Sequence, residues 1–257
     1  MTLLSPPLPL PADSWTLRLL GPPTLRTPAG LPVALERKAA ALLAYLAVEG
    51  AARRSSLITL LWPSTPEAAA RNNLVHLLRK LAAMAGRPLL EGRETLSLAP
   101  DVRADIAAFV PTLSGTLGDL DTLGQSRLLS TCTFDDCPEL DDWLRAERER
   151  MEEWYLLALR EHAARLEQTG DYGAALICVR RLLNLDPFSE DAHQRLMRLH
   201  ALTGNRHRAW LAFERLCALL RREFGVDPLP ETAALAQSLR QTAPPQLLMS
   251  SGSLLSA

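Results

Sequence analysis

Asn72, His76 and Arg79 recur one helical turn apart within the segment from Glu67 to Met84. With about 100° per residue, Ala70, Leu74, Leu77, Leu78, Leu81 and Met84 gather on one side of such a helix. Asn72, Val75, His76, Arg79 and Ala83 gather on the other, with Arg71 and Lys80 on the flanks. A helix of this kind buries its leucines and leaves a row of hydrogen-bonding groups facing outward. Asn can pair with adenine and Arg with guanine through two hydrogen bonds each, so the polar row suits the major groove of DNA. For an isolated helix the plainer reading is a solvated face, and its surroundings decide between the two.

Other charged residues fit the same chemistry less specifically. Arg53, Arg54 and Arg93 fall in loops, where a phosphate or groove contact competes with simple solvation. Lys80 flanks the polar row and suits a phosphate. Arg71 either contacts DNA or pairs with Glu67, four residues earlier, and one does not preclude the other. No nucleophile with its base, no phosphate-cradling glycine loop and no cofactor motif occurs, so neither an enzyme nor a cofactor is expected. Cys132 and Cys137 flank Phe134-Asp135-Asp136, but no second Cys or His pair lies nearby to complete a metal site, and incidental thiols are expected. His193, His200 and His207 are seven residues apart and read as surface histidines, because Gly204 interrupts the helix. Glu147, Glu149, Glu152 and Glu153 interleave with Arg145, Arg148 and Arg150, which reads as a solvated helix laced with ion pairs. The tryptophans Trp62, Trp143, Trp154 and Trp210 read as core residues.

The elements that must position the polar row can be followed from the first tryptophan. Trp15 to Leu20 alternates like a strand and is ended by Gly21-Pro22-Pro23. Thr24 to Arg26 and Leu31 to Leu35 read as two further short strands around a Pro28-Ala29-Gly30 turn. A helix follows from about Arg37 to Glu49, stopped by Gly50. Ser55 is placed to cap a second helix, Ser56 to Trp62, which Pro63 ends. Ser64 and Glu67 have capping-box spacing ahead of the third helix, or Thr65 caps it with Pro66 at the first helical position. Leu89-Leu90, Glu91 to Glu94 and Thr95 to Leu98 form a β-hairpin with Arg93 near its tip. Three strands, three helices and a hairpin make a winged helix, in which the third helix enters the major groove and the wing follows the backbone or minor groove.

Beyond Pro100 the chain turns rich in Gly, Ser and Thr, with a short amphipathic helix expected near Ala104 to Val110. From Pro138 onward helical periodicity is almost unbroken. Helices are expected over Glu139 to Gln168, Asp171 to Leu185, from Ser189 to Thr203, Arg206 to Phe224 and Glu231 to Gln241. Gly170-Asp171-Tyr172-Gly173-Ala174-Ala175 aligns with Gly204-Asn205-Arg206-His207-Arg208-Ala209 at an interval of 34 residues, and Leu182 with Leu216. That is the period of tetratricopeptide repeats. The expected organisation is therefore mainly α with a small β component: a flexible tail (1–12), a winged helix-turn-helix domain (13–110), a linker (111–136), a tetratricopeptide-like all-α domain (137–241) and a disordered tail (242–257).

The bulk properties agree. The net charge of −1 divides into +4 for residues 1–110 (12 Lys/Arg, 8 Asp/Glu) and −5 for residues 111–257 (16 against 21). Residues 37–93 alone hold nine basic and three acidic residues, a basic footprint suited to phosphates. No apolar run approaches the ~20 residues of a bilayer span, and the proline-studded N-terminus lacks the basic start of a signal peptide. Four scattered cysteines are not a disulfide framework, so a reducing cytoplasm is the expected compartment.

Leu19-Leu20-Gly21-Pro22, Arg37-Lys38-Ala39, Leu60-Leu61-Trp62-Pro63 and Ala70-Arg71-Asn72 followed by Leu77-Leu78-Arg79-Lys80-Leu81 resemble the DNA-binding half of the SARP (antibiotic regulatory protein) family. Trp143-Leu144 with Arg148, Gly170 with Ala174-Ala175, Leu185-Asp186-Pro187 and Phe224-Gly225-Val226-Asp227-Pro228 resemble the bacterial transcriptional activator domain. The resemblance spans roughly residues 15 to 240. It implies an OmpR-like winged helix joined to a helical-repeat domain. It also implies a promoter-specific activator that binds direct repeats in double-stranded DNA and recruits RNA polymerase, with a homodimer as a further expectation. Ser55-Ser56-Leu57-Ile58-Thr59 stands where the family carries acidic residues, and Thr95-Leu96-Ser97-Leu98 lacks the usual wing aromatic. The competing expectation is a protein-interaction scaffold in which both domains dock protein partners; the +6 balance of residues 37–93 favours DNA.

Overall fold

A computed structural model describes residues 15–26, 31–108 and 127–241. The expected tails, the Pro28-Ala29-Gly30 turn and residues 111–126 of the expected linker lie outside them. The chain divides into two compact units, Met1–Ala158 and Leu159–Ala257.

In the first unit β1 (Trp15–Arg18), β2 (Thr24–Arg26) and β3 (Pro32–Ala34) form an antiparallel meander. It is followed by α1 (Arg37–Glu49), β4 (Ala52–Arg53), α2 (Arg54–Leu61) and α3 (Glu67–Ala85). β5 (Leu90–Glu91), β6 (Thr95–Leu98) and β7 (Val102–Ala104) complete the β-structure. Strand order is β3-β2-β1-β7 in one sheet and β4-β6-β5 in the other. β7 runs parallel to β1, with Trp15 opposite Val102 and Leu17 opposite Ala104. Leu17, Leu25, Leu42, Leu43, Leu57, Leu74 and Leu81 are fully or almost fully buried and fuse the meander, the three helices and the hairpin into one core.

Several local expectations are corrected. Arg53, expected in a loop, lies in β4 opposite Thr95 of β6. Because the Arg54 N–H donates to the Glu94 carbonyl at 3.0 Å, the chain is held extended up to Arg53 and α2 starts directly afterwards, with no cap from Ser55. At α3 the N-cap is Pro66, without a side-chain cap from Ser64 or Thr65. Its carbonyl receives the Ala70 N–H at 2.9 Å. The helix expected near Ala104 to Val110 is a short 3-10 turn, Asp105–Ala108. The Asp105 carboxylate explains it, accepting the Leu19 and Leu20 amides at 2.9 and 3.2 Å and so fastening this turn to the end of β1.

The described end of the expected linker is not loose. Leu128, Leu129, Cys132, Phe134 and Cys137 are buried in the core of the first unit. Leu129 N–H donates to Leu19 O at 2.8 Å, and Leu128 bridges Leu20. α4 (Pro138–Thr169) begins at once, and its Leu140, Leu144 and Met151 extend the same core. Arg148, expected in a solvated ion-pair lattice, instead donates through Nε and Nη2 to the Leu128 and Leu129 carbonyls, both at 2.8 Å. Glu147 of the same run is buried.

The second unit holds the last turns of α4, α5 (Tyr172–Leu185), α6 (Glu190–Leu202), α7 (Arg206–Phe224) and α8 (Pro230–Gln241). The 34-residue period appears in the backbone: Gly170 and Gly204 take φ of 79° and 77°, each ending one helix before the next. The aligned pairs Ala175/Ala209 and Leu182/Leu216 are all buried. Asp171 caps α5 by accepting the Ala174 N–H at 3.0 Å, and Ser189 caps α6. His193 and His200 are corrected from surface to interior, at 8% and 5% exposure. Seven residues is two turns, and that face of α6 is the packed one; His207, beyond the Gly204 break, is exposed as expected.

Candidate nucleic-acid interface

α3 sorts its residues as the periodicity demands. Ala70, Leu74, Leu77, Leu81 and Ala85 are buried, Leu78 and Met84 half-buried. Arg71, Asn72, His76, Arg79 and Lys80 are exposed and Val75 half-buried. Burying each of the leucines contributes about 1.5–3 kcal/mol, so the core fixes the rotation of the helix and hence the outward direction of the polar row. Gly86 ends the helix with φ 70°.

The wing stands beside it. Gly92 takes φ 101° at the hairpin tip, and a Cβ there would lie 1.9 Å from the Thr95 carbonyl oxygen, so only glycine fits the turn. Arg93 follows, exposed. Between wing, α2 and α3 opens a cleft of about 740 Å³. Arg53 and Arg54 enter it from β4 and the start of α2, Arg71 and Val75 from α3, and Glu94 and Thr95 from β6 and the turn before it. Four candidate residues scattered over 23 positions of sequence are thus brought together. Asn72, His76, Arg79, Lys80 and Arg93 lie outside the cleft lining.

The cations differ in their partners. Arg71 is ion-paired with Glu67, the alternative read from the sequence. Lys80 is ion-paired with Glu36, 44 residues earlier, which sequence spacing alone could not reveal. Both pairs are exposed and so contribute little to stability. Among the described residues Arg53, Arg79 and Arg93 have no ion pair, and Arg54 keeps a buried Nε without a partner.

One polar cluster joins residues up to 99 positions apart that no sequence spacing relates. Lys38 Nζ donates to Leu61 O at 2.6 Å and Cys137 Sγ at 2.7 Å, and pairs with Asp136 at 2.9 Å. Arg37 adds a second pair to Asp136 at 2.8 Å. Lys38 above all, then Arg37, holds the Asp136 carboxyl down at about 2. The ammonium therefore satisfies the last carbonyl of α2 and ties it to the start of α4. Trp143, also half-buried, donates to Glu49 at 2.8 Å and lies 5.0 Å from Tyr45, tying α4 to α1. Trp62 and Trp210 are likewise half-buried and pack against the cores, as expected, whereas Trp154 lies outside them; Trp154 carries the Arg150 guanidinium at 4.9 Å and Trp210 that of Arg240 at 5.0 Å. No cluster of His, Cys, Asp or Glu suited to a metal occurs among the described residues, and no helix among them is long and apolar enough to cross a membrane.

Residues 131–240 match the family model of the bacterial transcriptional activator domain. The chain carries a bacterial transcriptional activator domain. That activator domain begins inside the first compact unit, at the residues that pack against the winged helix. Among solved structures the chain is similar to Mycobacterium tuberculosis EmbR in complex with a low-affinity phosphopeptide. The TM-score is 0.63 at 22% identity, over 90% of this chain and 66% of the EmbR chain. The chain thus spans just under two thirds of that protein, and the likeness establishes the mainly helical fold with a small N-terminal sheet. A search of curated proteins found no match. The activator-domain match agrees with the resemblance read from the motifs of the second half of the sequence.

Proposed function

We propose that the winged helix binds double-stranded DNA sequence-specifically, with α3 in the major groove and the β5–β6 wing along the adjacent backbone. The observation that carries this is the convergence of Arg53, Arg54 and Arg71 on one cleft beside the exposed row Asn72, His76 and Arg79. Arg79 reads a guanine and Asn72 an adenine, while Val75 meets a thymine methyl. Arg53, Arg54, Arg93 and Lys80 hold phosphates. The activator domain then serves self-association on direct repeats or contact with RNA polymerase, in a cytoplasmic regulator that activates transcription. Fragments of the source genome selected by the full chain at ~150 mM salt, in parallel with Arg79→Ala, test the reading. Enrichment of a short repeated sequence that the variant loses supports it. Weak, salt-sensitive enrichment indifferent to the variant would move the protein-docking scaffold to the front.

A further inference from the structure

One surface of the second unit lies outside the residues proposed to contact DNA and has the character of a docking site. Arg215, Ala218, Leu219 and Arg222 follow one another at helical spacing along α7 and form a single stripe. With Leu183 of α5 and Pro187 of the α5–α6 turn they wall a groove of about 320 Å³. The two guanidinium-bearing positions are one heptad apart, about 10 Å along the helix axis, and apolar residues separate them. No carboxylate lines the groove. Arg215 has no ion pair among the described residues, and Arg222 pairs only with its exposed chain neighbour Glu223.

Two further observations mark the groove as unfinished. His193 sits in its wall, 92% buried, with Nε2 3.0 Å from the Pro187 carbonyl and Nδ1 buried without any partner. Beside the groove Phe188 and Phe224 stack edge to face at 4.8 Å while remaining 37% and 60% exposed. Five of the nine exposed large apolar side chains of the described chain (Leu185, Phe188, Phe224, Val226 and Leu229) gather at this end of the unit. The Leu229 N–H, held by the Glu190 carboxylate at 3.0 Å, keeps the α7–α8 loop against the start of α6. A concentration of exposed aromatic and aliphatic surface around a cationic groove is the signature of a protein contact.

We propose that this groove receives an acidic amphipathic helix from a partner protein. Its carboxylates, one heptad apart, meet Arg215 and Arg222, and the apolar side chains between them lie on Ala218 and Leu219. The complementary pattern is acidic at i and i+7 with leucine at i+3 and i+4, because the α7 stripe is its mirror in charge and its match in spacing.

The test uses the full chain and a fluorescein-labelled synthetic helix of about four turns bearing that Glu/Leu pattern, with a second peptide in which both Glu are Lys. Binding is read by anisotropy. The acidic peptide is expected to bind, to lose roughly tenfold or more in affinity against the double variant Arg215→Glu/Arg222→Glu, and to be replaced there by the Lys peptide. Both arginines are exposed, so circular dichroism should show unchanged helicity. Ala218→Trp, which fills the groove without altering charge, should also abolish binding. Equal binding of both peptides, no binding of the acidic one, or indifference to the double variant would overturn the proposal. Self-association of the chain abolished by the same variants would overturn it too, assigning the groove to a second copy. None of these readouts depends on DNA, so the fate of the operator reading is separate.

Discussion

Lys80, on the flank of the polar row of α3, is ion-paired with Glu36 at the N-cap of α1. The pair holds against a carboxylate the cation proposed to meet a phosphate. Contact with phosphate then means exchanging one anion for another. Glu36→Gln frees the ammonium, and affinity for DNA of any sequence should rise a few-fold at low salt. The slope of log affinity against log salt should steepen by up to ~0.9, the value for one added phosphate contact. Titrations at several salt concentrations measure both; an unchanged slope would remove Lys80 from the interface.

Arg79 and Arg53 are both exposed and unpaired, yet they should fail differently. Arg79→Ala should cost about 1–3 kcal/mol at a single operator position and relax the preference there. Arg53→Ala should weaken binding evenly across sequences and flatten the salt slope. A panel of single-base operator variants separates the two patterns.

Gly92 has no room for a methyl group and a backbone conformation that other residues rarely adopt. Gly92→Ala must distort the wing, costing more than about 1 kcal/mol of stability. A larger loss is expected in DNA affinity, because Arg93 and the Arg53–Arg54 side of the cleft depend on the hairpin. Denaturant unfolding beside DNA titration checks that ordering.

Burial pushes His162, His193 and His200 below their ordinary 6.5; Arg165 adds to the effect at His162, and Arg180 and Arg208 at His200. A histidine whose folded pKa is depressed binds its proton more readily when unfolded. Stability is therefore full above about pH 6.5 and is lost as the pH falls through that value toward the folded pKa. Asp136 acts far lower, losing its contribution between its ordinary 3.8 and about 2. Denaturant midpoints should thus fall from pH 7.5 to 5.5, and His193→Gln with His200→Gln should flatten the slope, whatever they do to the absolute midpoint.

Arg148 forks onto the Leu128 and Leu129 carbonyls, Leu129 being the one non-glycine residue with positive φ among the described residues. Hydrogen bonds from a charged group contribute roughly 1.5–3 kcal/mol each when lost from partly buried sites. Arg148→Ala should destabilise the first unit by a few kcal/mol, whereas Arg145→Ala, on the exposed side of the same helix, should change little. Thermal unfolding of the two variants compares them.

The rotation of α3 was legible because amphipathicity is a local property, set by Leu74, Leu77 and Leu81 alone. The same holds for the turns at Gly170 and Gly204, which carry their own stop signals. β4 and β7 were not legible: strands of two and three residues have no periodicity, and only pairing with β6 and β1 makes them strands. Residues 128–136 read as linker because their burial depends on surfaces provided by Leu19, Leu61 and α1, far away in sequence. Within the candidate interface, Arg53, Arg54, Arg71, Asn72, His76 and Arg79 could be named by type and spacing. Which cations are already engaged, as Lys80 is by Glu36, required the fold.

The family-defined activator domain begins at residue 131, yet Cys132, Phe134, Cys137, Leu140 and Leu144 are part of the winged helix's own core. The two halves of this chain are therefore not interchangeable cassettes. A recombination event at that border would hand one core to two ancestries, leaving Lys38 without its sulfur and carboxylate and the Leu61 carbonyl without the Cys137 thiol. The polar face of α3 is inherited together with the first turns of the domain that follows, because one core carries both.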